Sequence, residues 1–228
     1  MSTLMLRLAA PLQAWGVDSK FDRRDTQREP TKSAVIGLAA AALGLSRSDS
    51  RIAELGRTLR FGVRVEKEGL LLRDYQTVKG KSPYVTQRYY LCDAVFLAGL
   101  EGDDTLVDEI GQALTHPVFP LFLGKRSCPP EGRLFLGIRK GKALEEALEK
   151  EPRLIVAAER AMRIQIETHA GHPGTWLQRD VPISFNQNRR EYGFRSVLET
   201  RLRVAGSDSS RDSAEPTTEH DAYAEMEG

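Results

Sequence analysis

The run Ala34–Gly44 (AVIGLAAAALG) constrains this chain more than any other stretch. Apart from its glycines it is alanine, leucine, valine and isoleucine, so it predicts a helix buried on every side rather than one lying on a surface. Thr31 stands where an N-cap belongs, its hydroxyl placed to accept from a free backbone N–H of the first turn. A helix of that kind exposes only its beginning. There the unpaired N–H groups, the positive end of the helix dipole, the Ser33 hydroxyl and the Lys32 ammonium make an expected phosphate site at Thr31, Lys32 and Ser33. No glycine-rich nucleotide loop precedes it, so a nucleoside triphosphate is not implied. The plainer alternative is a Lys32 that is merely solvated in the first turn.

A chain of 228 residues is long enough to bury a sizeable core. Its longest apolar run falls well short of the roughly 20 residues that span a bilayer, and Met1–Leu4 shows no basic, then apolar, leader. Two cysteines, Cys92 and Cys128, point to a reducing compartment rather than a disulfide framework, and they are too few for a structural zinc site. His169 and His172 lack a carboxylate or cysteine at ligand spacing. A cytoplasmic protein with no metal, no cofactor and no membrane partner is therefore expected. The net charge of +1 hides an asymmetry. From Ser207 to Gly228 seven acids face one base, Arg211, which leaves +7 on residues 1–206. That tail is poor in apolar residues and is expected to be disordered, so truncation at Gly206 should spare folding. The basic body suggests a polyanionic partner.

Thr3 to Ala9 alternates as a half-buried strand, with Leu4, Leu6 and Leu8 on one face and Met5 and Arg7 on the other. A polar loop with Lys20, Arg23, Arg24 and Arg28 leads to the buried helix, and a shorter helical piece covers Asp49 to Gly56. Leu59–Glu66 alternates again, Leu70–Tyr75 returns as a strand, and Tyr89–Leu100 reads as a strongly apolar strand. Thr105–Leu114 aligns Leu106, Ile110 and Leu114 as an amphipathic helix, and Arg133–Arg139 supplies a last strand. Strand, helix, strand, strand, helix, strand is the split βαβ order of ferredoxin-like domains, RNA-recognition (RRM-like) domains included. The expected fold is therefore α+β. It comprises a ferredoxin-like domain over residues 1–140, a smaller β-rich part over 141–206 with strands at Ala161–Thr168 and Gly193–Val204, and the tail 207–228.

Two further stretches carry chemistry. In Leu121–Pro130 (LFLGKRSCPP), Gly124 beside Lys125 and Arg126, followed by Ser127 and closed by two prolines, forms a rigid basic loop that suits a phosphate. An ordinary basic turn is the competing reading, and Cys128 reads as a structural thiol. Residues 76–88, from Gln76 to Arg88, have no core pattern and are expected to form a hairpin that leaves the body. Here Lys79, Lys81 and Arg88 are interleaved with Tyr75, Tyr84, Tyr89 and Tyr90, as suits single-stranded nucleic acid: bases stack on rings while cations follow phosphates. Tyr89 and Tyr90 are expected to split, one inward and one outward. Trp15 reads as a core anchor.

Six blocks in order, LRLAAPLQAWG (6–16), PTKSAVIGLAAAALG (30–44), LRDYQTV (72–78), QRYYLCDAVF (87–96), LFLGKRSCPP (121–130) and DVPISF (180–185), resemble the CasD family of type I-E CRISPR Cascade subunits. The resemblance runs from about Thr3 to Val204. It implies a ferredoxin-like domain with a protruding β-hairpin thumb at about 76–88 and a non-catalytic role in antiviral defence. The partners it implies are the 5′ handle of the crRNA, the backbone subunit CasC and the large subunit CasA, with target DNA met only through the assembled complex. Arg23, Arg24, Thr31, Lys32, Ser33, Tyr75, Gln76, Lys79, Lys81, Tyr84, Arg88, Gly124, Lys125, Arg126 and Ser127 are the expected RNA-binding residues. The alternative is a metal-independent endoribonuclease, as in related type I-C subunits, with Tyr75, Lys125 and His116 as acid–base candidates.

Overall fold

The computed structural model describes residues 1–16, 23–79, 83–156 and 161–203. Lys20, Lys81 and the acidic segment 207–228 lie outside the described residues. Strands β1 (Ser2–Ala9), β4 (Arg60–Lys67), β7 (Val95–Gly102), β8 (Phe135–Lys140), β9 (Ala161–Thr168), β10 (Trp176–Phe185) and β11 (Arg190–Arg203) build one antiparallel sheet in the order β10-β11-β9-β4-β7-β1-β8. The strands after residue 140 thus extend the same sheet, because β9 pairs with β4 from Gly62–Ile166 to Arg64–Ile164.

The alternation of β1 sorts its side chains between two cores. Leu4, Leu6 and Leu8 face α1 (Lys32–Ala42), α2 (Arg51–Thr58) and α3 (Asp104–Thr115), in a cluster that also holds Phe61, Val63, Phe96, Leu100 and the fully buried Trp15. Met5 and Leu97 point the other way, onto α4 (Leu144–Lys150) and Ile164. That last helix was not expected. Its seven residues (LEEALEK) bury only Leu144, Ala147 and Leu148, too short a repeat to stand out from its charged surroundings.

The stretch expected to be a single strand over Tyr89–Leu100 is corrected to two. Asp93 sits in the left-handed region at φ 54°, a conformation that aspartate tolerates better than most residues, and the chain turns there. The part before the turn, β6 (Tyr84–Cys92), leaves the main sheet. It pairs with β5 (Leu70–Val78), with β2 (Leu12–Gln13) and, in parallel, with β3 (Arg23–Arg24), making a second small sheet.

Strand β10 crosses the helices, and register shifts after Arg179 and Pro182 bend it to follow them. Gly56 of α2 gives it room: a Cβ there would lie 2.8 Å from the Pro182 carbonyl oxygen. Gly56→Val is expected to lift β10 off α2 and cost roughly 2 kcal/mol, visible as a lowered Tm.

Candidate nucleic-acid interface

The small sheet and the Gly124 loop face each other. Antiparallel pairing sets Leu72 opposite Tyr90, Asp74 opposite Arg88 and Gln76 opposite Thr86, so these six share one face of the hairpin. Arg24 pairs with Arg88 across the parallel β3–β6 ladder. A cleft of about 430 Å³ opens there, lined by Leu72, Arg73, Asp74, Gln76, Arg88 and Tyr90 from the hairpin, by Leu12 of β2 and by Ser127 from the loop. The Lys125 ammonium lies 4.0 Å from the centre of the Tyr90 ring. Its Nζ is shielded from solvent, as is Arg88 Nε, and neither donates to any described protein atom.

Burial pushes the Lys125 ammonium below its ordinary pKa; Arg88 and Arg24 push the same way, against the pull of Cys128 and Asp74. Four cations in or beside it, Arg73, Arg88, Arg24 and Lys125, against the one carboxylate of Asp74 make this a positive cleft. Cys128 is buried and its thiol is pushed up in pKa by that burial, as a structural cysteine should be.

Gly124 has a role that sequence did not suggest. At φ 88° a Cβ there would stand 1.6 Å from the Ala14 carbonyl oxygen. The glycine lets the loop press against the segment between β2 and β3, where Ala14 N donates to Leu123 O at 3.1 Å. It seats the loop against the hairpin's sheet; close approach of a phosphate is not needed to explain it.

The opposite face of the hairpin carries Tyr75, 71% exposed, and Tyr89, over whose ring the Arg23 guanidinium lies at 5.1 Å. Tyr89 is half-buried and Tyr90 buried, so the two tyrosines do split. Tyr84 and Lys79 are exposed near the hairpin tip, and Arg126 and Ser127 are exposed on the loop. Most of the basic and aromatic residues expected from sequence therefore gather on β3, the hairpin and the loop.

Thr31, Lys32 and Ser33 do not. Thr31 caps α1 as expected, its Oγ1 accepting from Ala34 N at 3.3 Å. The helix end is nevertheless closed, which corrects the reading of an exposed anion site. Lys32 is 1% exposed, and its Nζ donates to both Glu167 oxygens at 2.9 and 2.7 Å. Its backbone N–H donates at 2.8 Å to Oδ2 of Asp180, which Arg195 grips with two further bonds. The anion at this helix terminus is the chain's own aspartate. Nothing local to residues 30–44 signals it, because both carboxylates arrive from strands more than 130 residues away.

Asp74 is, with Arg73, a charged cleft residue that sequence reading missed. The alternation Leu72, Asp74, Gln76 would have placed it on the Gln76 face once the hairpin was drawn. His116 ends α3, with Nδ1 3.0 Å from Thr115 Oγ1, and does not line the cleft with Lys125's neighbours. Among the described residues no cluster of three His, Cys, Asp or Glu side chains is placed to hold a metal, and no helix is long and apolar enough to cross a membrane.

The sequence and the fold both have counterparts among known proteins. The chain is 36% identical over 169 residues to the CRISPR system Cascade subunit CasD of Escherichia coli (strain K12), covering 64% of this chain and 75% of that protein. Its fold is similar to a chain of a CRISPR RNA-guided surveillance complex, with a TM-score of 0.76, 31% identity and coverage of 89% and 90% of the two chains. A second solved structure, that of a Cas protein, gives a TM-score of 0.70 at 39% identity, over 88% of this chain and 95% of its own. Residues 3–198 match the family model for CRISPR-associated protein (Cas_Cas5), and over that span, nearly the whole described chain, the protein belongs to the Cas5 family.

Proposed function

We propose that this chain is the non-catalytic subunit of a type I-E Cascade complex that binds the 5′ handle of crRNA. The observation that carries the reading is the cleft between hairpin and loop. Arg88 lines it, and Lys125 lies against the buried Tyr90 ring within electrostatic reach of Arg88 and Arg24, with Lys125 Nζ and Arg88 Nε shielded and without protein acceptors. A buried cation without an acceptor is costly, and an RNA phosphate oxygen would satisfy both donors. The hairpin β5–β6 is the thumb of this reading, and residues 1–140 form its ferredoxin-like, RRM-like body. The strand order β8-β1-β7-β4, with α1 and α3 packed on one face, supports that assignment. CasC and CasA are the partners that follow, in the cytoplasm, with target DNA reached through the complex.

The experiment is incubation of the purified chain in EDTA with end-labelled repeat RNA, alone and with the backbone subunit, read on native and denaturing gels. Intact RNA with a retarded band is expected. A single cut at the base of the handle would make the chain the metal-independent nuclease, and no retardation even with the backbone subunit would overturn the reading.

A second measurement separates the loop from the rest of the chain. The double substitution Lys125→Ala and Arg126→Ala is expected to weaken RNA binding and to flatten the plot of log K against log salt by about 1.4, since each lost contact on a single strand releases about 0.7 of a counterion. An unchanged slope would remove the loop from the interface.

A further inference from the structure

The cleft is positive, yet one wall carries a carboxylate. Asp74 faces Arg88 directly across the hairpin, but no ion pair within 4.0 Å joins them among the described residues. The hydrogen bond that Asp74 makes is with its own strand, where Gln76 Nε2 donates to Asp74 Oδ2 at 3.2 Å. That bond fixes the Gln76 amide so that its Oε1 is free to accept, and it leaves Asp74 Oδ1 free as well. The wall opposite the cations therefore presents two acceptors, Asp74 Oδ1 and Gln76 Oε1, and one donor, the second N–H of Gln76 Nε2. A carboxylate in a phosphate site weakens binding by repulsion, so its presence calls for a role that repays the repulsion.

We propose, resting on the RNA-binding reading above, that Asp74 and Gln76 read the base of a nucleotide whose phosphate lies at Lys125 and Arg88. The class of base they select is one with an exocyclic amino group. The cleft volume of about 430 Å³ suits a ligand the size of one nucleotide. Adenine and cytosine set an amino donor beside a ring-nitrogen acceptor, which matches Asp74 Oδ1 beside the second N–H of Gln76 Nε2, and guanine offers its amino group and N1–H to the carboxylate. Uracil reverses the adenine and cytosine pattern, turning O4 to the carboxylate and N3–H to the Gln76 N–H. Asp74 and Gln76 are specificity-determining residues on this account, and Lys125 and Arg88 supply affinity without regard to base.

The test compares equal-length oligo(A), oligo(C) and oligo(U) on the full chain, because the three carry the same charge. The unsubstituted protein is expected to favour oligo(A) and oligo(C) over oligo(U) by about tenfold, the discrimination typical of one good base contact. Asp74→Asn removes the charge while keeping the shape. It is expected to raise oligo(U) binding and to bring the ratio to within about twofold of unity, and Gln76→Ala is expected to lower the ratio as well. If Asp74 merely tunes the charge of the cleft, Asp74→Asn strengthens all three equally and the ratio stands; that outcome overturns the inference. Equal binding of the three oligomers by the unsubstituted chain overturns it too, while leaving the RNA-binding reading intact. Failure to bind any of them defeats both. Thermal unfolding of each variant, expected to be unchanged for side chains on the hairpin, separates these outcomes from a folding defect.

Discussion

Gly124→Ala is expected to lower the stability of the chain by about 4 kcal/mol, the sum of a left-handed backbone that disfavours any Cβ and an overlap with backbone that no rotamer relieves. The overlap decides the size of the effect. The added carbon would lie 1.6 Å from the Ala14 carbonyl oxygen, far inside van der Waals contact, so either the loop or the Ala14 segment must move. Movement breaks the Ala14 N to Leu123 O bond and carries Lys125 away from Tyr90. Two measurements check this. Chemical denaturation is expected to show the lowered midpoint, and RNA affinity of the folded fraction is expected to fall with it. A variant as stable as the parent would mean that the loop does not rest on Ala14.

Asp180→Ala is expected to cost about 3–5 kcal/mol, the penalty typical of removing one partner from a buried charged pair. Asp180 is fully buried and satisfies the Lys32 N–H and two N–H groups of Arg195. Arg195 is itself buried, and its Nη1 finds no described acceptor even in the intact protein. Alanine would leave that guanidinium without a counter-ion beside the Lys32 ammonium, which burial already holds below its ordinary pKa. Asp180→Asn, which keeps an acceptor and loses the charge, is expected to fall between the two. Lys32→Met is the companion experiment: stability is expected to drop and RNA affinity of the folded protein to stay unchanged. Loss of affinity without loss of stability would return the α1 terminus to the RNA-binding surface.

Local pattern made much of this fold legible. β1, α1, β4, α3 and β9 lie within a residue or two of where alternation, helical spacing and the apolar run put them, because each has a regular local pattern that burial on one or both faces preserves. The break at Asp93 was hidden, since apolar residues continue on both sides and the turn depends on a backbone conformation that sequence does not advertise. The site divides the same way. Arg88, Lys125 and Gln76 were legible as basic or polar residues in segments without a core pattern. Lys32 was misread, since a lysine at a helix start looks alike whether its partner is a ligand or a distant glutamate. Long-range pairing decides such cases, and Glu167 is 135 residues further along the chain.

The closing of the α1 terminus also sets an order of events for folding. Lys32 meets Glu167 and Asp180 across sequence separations of 135 and 148 residues, and Arg195 completes the cluster. During synthesis the most apolar helix of the protein therefore emerges early, but the charges that permit its first turn to be buried emerge about 150 residues later. Contacts of such separation slow folding, because the intervening loop must close before they form. A nascent chain halted before Glu167 would hold an apolar helix that has nowhere to put its lysine, and one halted before Asp180 would still lack the acceptor for the first N–H of that helix. Only a chain that has reached Arg195 seats that helix fully, so the C-terminal strands act as a completeness check on the body that carries the RNA cleft.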